Sequence, residues 1–536
     1  MLDRRAFIAG AAGLSTLPFI GHFAYAAGDD ARKNAKRGGT LSVVVTPEPN
    51  LLVSAFNSAG STAIVSTKVM EGLIAYDQQL NMHPYLAKAW EWSDDGLSLT
   101  FHLQENVKWH DGVPFTSKDV AFTLMQVWRE LHSYGRTAFA NVTAVDTPDD
   151  HTAILRLSAP AKYIMGMFSA IHCQLLPAHL YEGTDVRTNP HNNTPIGTGP
   201  FKFKEWVKGS HVSLVRNDDY WREDEPYLDG IICRFIPDAG ARLVAFKSGE
   251  VHIGYNNAVP INELKSMDES ADYVVTTDGG EYTAPIFMHE LNLRRAPFDN
   301  VKVRRAILHA INREALVRIV WGGHGDVATG PIPKTTPQYY KADTVQYPYD
   351  PKRAEELLDE AGYPRGKDGI RFTMTHDFLP FGSDLQRSAE FTKQELSKVG
   401  IKVEVRAQDY ASYMRRVYTD YDFDMTNTYM STMPDPVLGV QRVYWSKSIV
   451  PGVPYSNASG YNNPEMDALW EIAQTEVDDG KRRDAFFKIQ DIAQRDLPVL
   501  DLFEKKTVTV ASAKVKNFST TAYSPYTSMG VVYLEA

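Results

Sequence analysis

Only two cysteines, Cys173 and Cys233, stand in 536 residues. No Cys-x-x-Cys can be built from them, which excludes zinc ribbons and cysteine-ligated iron–sulfur clusters. Two thiols also make no disulfide framework. They either pair once, in an oxidising compartment, or sit apart as buried thiols. Other signatures are missing too: no Gly-x-x-x-x-Gly-Lys-Ser/Thr loop to cradle phosphates, no Gly-x-Ser-x-Gly nucleophile elbow, no His-Glu-x-x-His. Basic charge is not in excess, since 56 Lys+Arg face 66 Asp+Glu for a formal net charge of −10. That balance argues against nucleic acid or an anionic membrane as the main partner. Past residue 26, no apolar run approaches the ~20 residues a membrane span needs.

What is present begins with an address. Met1-Leu2-Asp3-Arg4-Arg5-Ala6-Phe7-Ile8 opens the chain, and an apolar, Ala/Gly-rich stretch follows from Ile8 to Phe23. Ala24 and Ala26 supply small residues two apart, so cleavage is expected between Ala26 and Ala27. Arg4-Arg5 followed by Phe7-Ile8 reads as a twin-arginine signal, which exports folded cargo; the plain alternative is a general secretory signal with two arginines. No cysteine lies near the cleavage site to carry a lipid, so the expected product floats free in a periplasm. Residues 27–39 read as a polar, flexible lead-in. Subtracting the net +1 of residues 1–26 from −10 leaves −11 on the mature chain. The remaining ~510 residues suffice for two or three domains.

Periodicity then alternates between two and 3.6. Thr40–Val45 reads as a first, buried strand, and Leu97, Leu99, Phe101 and Leu103 alternate as a half-buried one. Asp111-Gly112 marks a turn. Thr116 with Asp119 resembles a capping box, opening a helix through about Leu131. Val303, Ile307 and Ile311 line one face of a helix from near Asn300. Asp350, Pro351 and Gly362 bracket another with proline just inside and glycine just outside. Ser383 opens a helix that Gly400 closes. Ile370/Phe372/Met374 and Ile401/Val403/Val405 read as further strands. The class is therefore α/β. No repeat or long linker is present, so domains joined by several short crossings are expected.

Chemistry is sparse. His110-Asp111 precedes a glycine turn and has no partner ligands at helical or hairpin spacing, so it reads as a turn rather than a metal site. His172, His179 and His191 are assigned solvated or hydrogen-bonded structural roles. Arg294-Arg295, Arg304-Arg305, Arg415-Arg416 and Arg482-Arg483 read as solvated helix faces. Tyr421, Phe423, Tyr429, Tyr444 and Trp445 cluster; such residues either wall a ligand cleft or fill a core.

Taken in order, several stretches resemble a family. Leu97 to Val120, containing Val107-Lys108-Trp109-His110-Asp111-Gly112, is similar to the signature of the family 5 extracellular solute-binding proteins, the peptide and nickel type receptors of ABC importers. Glu71-Gly72-Leu73 with Tyr76, Pro84-Tyr85-Leu86-Ala87 with Trp90, Gly197-Thr198-Gly199-Pro200-Phe201, Asn217-Asp218-Asp219-Tyr220-Trp221 and Pro297 to Ala306 extend the likeness over the mature chain. The resemblance implies a periplasmic-binding-protein type II-like, three-lobed fold with a hinged ligand cleft. The expected lobes are 40–66 with 200–278 and 495–536, then 67–199, then 279–494. It implies a monomeric receptor that closes on a peptide or peptide-like zwitterion and hands it to permease subunits, with no enzymatic activity and no cofactor or metal. It also implies Asp435 as partner of a ligand amino group and Arg387 as partner of a ligand carboxylate, with Tyr429 and Trp445 on the cleft wall. After Asp435-Pro436 the chain departs from the peptide-binding pattern with Val437-Leu438-Gly439-Val440-Gln441. Opines, other amino-acid conjugates, modified sugars or a metal chelate therefore remain open as ligands. The alternative from another class, an exported enzyme with a cofactor, needs a metal or nucleophile constellation.

Overall fold

The computed structural model describes residues 35–256 and 258–535. The export-signal residues Arg4, Arg5, Ala24 and Ala26, and residues 27–34 of the expected lead-in, lie outside them.

Local rules set the element ends. Asp350 accepts the Arg353 N–H at 3.0 Å and Pro351 opens helix Pro351–Glu360, with Gly362 beyond it at φ +90°. Asn300 caps Val301–Ala310. Thr116 and Asp119 form the capping box of Ser117–Phe122; the helix continues as a π-helical turn, Thr123–Trp128, and stops short of the expected Leu131.

Three sheets organise the chain. A seven-stranded sheet runs in the order Tyr273–Thr276, Thr509–Ser512, Ile253–Tyr255, Thr40–Val45, Gly230–Phe235, His211–Arg216, Phe201–Val207. Thr40–Val45 is parallel to both of its neighbours there, which suits its unbroken apolar run. A four-stranded antiparallel sheet (Ala87–Trp92, Ser98–Leu103, Thr152–Leu157, Val142–Asp149) forms the second lobe. The third lobe is built on a six-stranded sheet ordered Gly325–Val327, Val499–Lys505, Pro285–Leu291, Met425–Ser431, Phe372–Phe378, Ile401–Arg406.

The expected start of the last first-lobe piece at residue 495 is corrected by this pairing. Val499–Lys505 hydrogen-bonds to Pro285–Leu291 in the third lobe's sheet, and only Thr509–Ser512 returns to the first. The chain therefore crosses between sheets at residues 506–508, and in the other direction between Thr276 and Pro285.

The cores divide differently from the sheets. The first and second lobes share one apolar cluster, from Leu41 and Val43 through Leu99, Phe101 and Trp128 to Cys233. The third lobe has its own clusters. Cys173 and Cys233 are free and buried within the shared core, so the pairing alternative falls away. Burial pushes the Cys233 thiol up to about 12. Among the described residues, no helix is long and apolar enough to cross a membrane.

The third lobe's sheet also buries acid. Glu290, on Pro285–Leu291, is fully buried, and burial pushes its carboxyl up from 4.5 to about 8. Between those values the folded chain binds a proton that the unfolded chain has lost, so each rise in pH costs stability through this group. Glu290→Gln is therefore expected to lose less stability than wild type from about pH 5 to about pH 9, by urea denaturation. An equal loss in both proteins would refute the assignment.

Candidate functional site

The central third-lobe strand Met425–Ser431 ends in Thr432-Met433-Pro434-Asp435-Pro436. Met433 turns at φ +65° and packs into the core shared by the other two lobes. Two prolines hold the backbone around Asp435, whose Oδ1 accepts the Val437 N–H at 3.0 Å. The short helix Gln441–Tyr444 follows.

Asp435 is buried, and its counter-charge is Arg482: Nη2 to Oδ2 is 2.6 Å, with side chains 2% and 8% exposed. Arg482 also donates to the Ala473 carbonyl at 2.6 Å and to the Tyr339 hydroxyl at 2.7 Å. Burial alone would favour the neutral guanidine, but Asp435, Tyr339 and Asp479 together outweigh it and hold Arg482 above its ordinary value. The solvated-face reading of Arg482 fails here, as it does for Arg304, which is buried and donates to the Asp496, Phe298 and Asp299 carbonyls. The missed signal lay in helix Asp479–Asp496. Arg482 shares the buried face of Ala485, Phe486, Ile489 and Ala493, at helical spacing.

The second lobe comes down on this segment. Its turn Lys162–Met167 presents Gly166, where a Cβ would lie 2.8 Å from Leu438 Cδ1 and 3.7 Å from Asp435 Cβ. Tyr282, on the crossing, donates to the Gly166 carbonyl in a short hydrogen bond. Lys162 Nζ meets Asp479 Oδ1 at 2.8 Å. Two cavities flank the contact. One, of about 220 Å³, is walled by Tyr76, Trp90, Lys162, Tyr339, Asp435 and Arg482. The other, of about 260 Å³, is walled by Tyr134 and Tyr163 of the second lobe and by Gln441, Arg442, Trp445 and Tyr455 of the third.

Of the residues singled out in sequence, Asp435 and Trp445 wall these neighbouring cavities. Tyr429 does not join them. Side chains alternate along Met425–Ser431: Met430 packs with Tyr444 and Trp445, while Tyr429 faces the opposite cluster, with Lys505 Nζ 5.0 Å from its ring centre. Arg387 is exposed and bonds the Ile319 carbonyl at 3.1 Å. Leu385, Ser388, Ala389 and Thr392 take the buried face of Ser383–Lys398, which leaves Arg387 on the outer one.

His172 also departs from its assignment. It is buried, 7% exposed, and neither ring nitrogen has a partner among the described residues. It packs 5.4 Å from the Tyr134 ring, and burial pulls it down to about 3, so the imidazole is neutral. His110 is held by backbone instead, with Nε2 2.9 Å from the Gly199 carbonyl.

Two lobes on one core, a third reached by two crossings, and cavities walled from both bodies define a binding protein that holds its ligand between lobes. The description of the bacterial extracellular solute-binding proteins, family 5 (middle), matches residues 81–450, and the chain belongs to that family. It is 30% identical over 511 residues to a Brucella ovis protein with the provisional name of an ABC transporter peptide-binding protein, covering 90% of this chain and 91% of that one. Among solved structures, the periplasmic binding protein DppA of Helicobacter pylori, in complex with the peptide STSA, superimposes with TM-score 0.75 at 26% identity, covering 94% of this chain and 99% of that one. AgaA of A. tumefaciens R10, in complex with agropinic acid, gives 0.73 at 26%, covering 93% and 99%.

The buried ion pair carries a direct expectation. Asp435→Asn keeps the shape but strands the Arg482 charge, which should cost roughly 3–5 kcal/mol in urea denaturation. Adding Arg482→Met should recover more than half of the loss. Wild-type stability in Asp435→Asn alone would show that the pair is not the counter-charge described.

Proposed function

We propose that this chain is the periplasmic substrate-binding component of an ABC importer, capturing peptides or peptide-like solutes between the joined first two lobes and the third. It is a receptor without turnover, monomeric, exported by the twin-arginine signal at Arg4-Arg5 and delivered folded to its permease partners. The observation that carries the reading is the cavity of about 260 Å³ whose walls come from both bodies, with Tyr134 and Tyr163 facing Arg442 and Trp445. A ligand there gains contacts only when the lobes meet, which is what lets binding drive closure. The peptide and agropinic acid held by two relatives of the same fold support a small organic ligand with polar ends. Trp445 supplies wall in this reading. Asp435 lines the adjoining cavity, where an ammonium would share its charge with Arg482.

Gly166 tests closure. Its φ lies outside the left-handed region, so what opposes a side chain there is Leu438 of the third lobe, 2.8 Å from the Cβ position, while Asp435 stands at ordinary contact distance. Gly166→Val is expected to bind ligand about 10- to 100-fold more weakly in calorimetry, the ~1–3 kcal/mol of overpacking falling on the closed state alone. Unchanged affinity would separate this contact from binding. Export is tested apart: changing Arg4 and Arg5 to Lys should abolish export if the folded route is used, and continued export would favour the general secretory route.

A further inference from the structure

The cavity between the second and third lobes is unbalanced in charge. Arg442 is half-buried, its guanidinium carbon 5.8 Å from the centre of the Tyr134 ring across the cleft, and among the described residues no carboxylate lies within ion-pair reach of it. The chain's other inward arginines are answered: Arg482 by Asp435 and two further acceptors, Arg313 by the Ala328 and Tyr347 carbonyls. Lys447, at the cavity's rim, is met by Glu471 at 2.5 Å, and Lys162 of the adjoining cavity by Asp479. Each cation of the two cavities but Arg442 has its anion among the described residues. Among the described residues, no Asp or Glu walls the Arg442 cavity. On the same wall Gln441 Nε2 and Trp445 Nε1 are buried N–H donors with no acceptor among the described residues. The guanidinium calls for an anion and the two neutral donors beside it for an acceptor, because a buried polar group is costly until it is hydrogen-bonded.

We propose that this cavity is an anion subsite, in which Arg442 takes a ligand carboxylate, and that the captured solutes are organic acids, peptide acids and N-acylated amino acids included, selected by their acid end and not by an ammonium. The proposal rests on the reading of this cleft as the capture site. A planar carboxylate matches the guanidinium fork. Tyr134 and Tyr163 provide aromatic wall for the ligand's body. Because Arg442 belongs to the third lobe and Tyr134 to the second, a carboxylate seated between them favours the arrangement in which the lobes meet. An ammonium finds a weaker place, since at Asp435 it must share that charge with Arg482.

The test measures binding of the mature chain to dipeptides in three forms: free acid, C-terminal amide and N-acetyl acid. Free and acetylated acids are expected to bind, with the amides at least about ten-fold weaker, and Arg442→Gln should lower the acids to the level of the amides. Arg442→Lys keeps the charge without the fork and should weaken the acids while sparing the amides; it serves if Arg442→Gln does not fold. Amides that bind as tightly as acids, or acetylation that costs more than amidation, would overturn the proposal. If no dipeptide binds in any form, the peptide-like capture reading fails on its own, and the subsite is decided by equilibrium dialysis with benzoate, an aromatic carboxylate without nitrogen. Benzoate retained by wild type and lost in Arg442→Gln supports the subsite; benzoate retained by neither overturns it.

Discussion

Glu71 is the constraint on which the rest of the architecture depends. Its carboxylate, 1% exposed, accepts from the Thr198 hydroxyl at 2.8 Å, the Tyr220 hydroxyl at 2.7 Å and the Trp221 indole at 3.0 Å. Glu71 and Thr198 belong to the second lobe's stretch of chain, Tyr220 and Trp221 to the first's. Burial raises its carboxyl and the three bonds pull it back. Each bond to a charged acceptor is worth roughly 1.5–3 kcal/mol and together they offset part of a desolvation cost of several, with burial still holding the carboxyl above its ordinary value. Around it the backbones close up: the Gly199 N–H donates to Val69 at 2.9 Å, a Cβ at Gly197 would lie 1.8 Å from the same carbonyl, and Lys68 reaches the Pro525 carbonyl at 2.7 Å. Three of the stretches that carry the family likeness, around Glu71, Thr198 and Tyr220-Trp221, thus meet at one buried junction. They join two sheets into one body and leave the third lobe as the part with freedom to move.

That division explains where a ligand fits. A cleft between the first two lobes would be filled by their shared core. The space lies instead where the third lobe's segment 434–445 meets the turn around Gly166, and its chemistry is set by which charges are already matched there. Asp435 and Arg482 neutralise each other with little exposure, so the pair shapes the wall more than it attracts a charge. Arg442 is left as the site's net field.

Legibility from sequence followed the range of the interaction. Caps and turns are settled within a few residues, and Asp350-Pro351 with Gly362, or Thr116 with Asp119, were readable as they stand. The strand alternation at Leu99, Phe101 and Leu103 was readable for the same reason. The fold followed from the order of many weak motifs. The site did not, because its interactions join distant stretches. Nothing local marks Arg482 as the partner of Asp435, and its pairing with Arg483 drew attention away from the helical face that buries it. The expected break at residue 495 fell in the helix before Val499–Lys505, because a strand's own residues do not say which sheet it joins. Arg442 went unmarked, since an unpaired cation becomes visible only once every neighbouring charge has been located.

The contact between Lys162 and Asp479 involves no ligand, and neither does the seat of Leu438 against Gly166. Such contacts set how often the receptor wears its loaded shape with nothing inside. With side chains 23% and 84% exposed, the ion pair is worth within about 1 kcal/mol, a shift of roughly five-fold in that equilibrium. Its weakness is useful to the proposed importer: a firmer latch would tighten apparent affinity, yet it would also send false signals of cargo and set the transporter turning over nucleotide for nothing. A latch of this strength leaves the ligand to supply the rest of the closing energy.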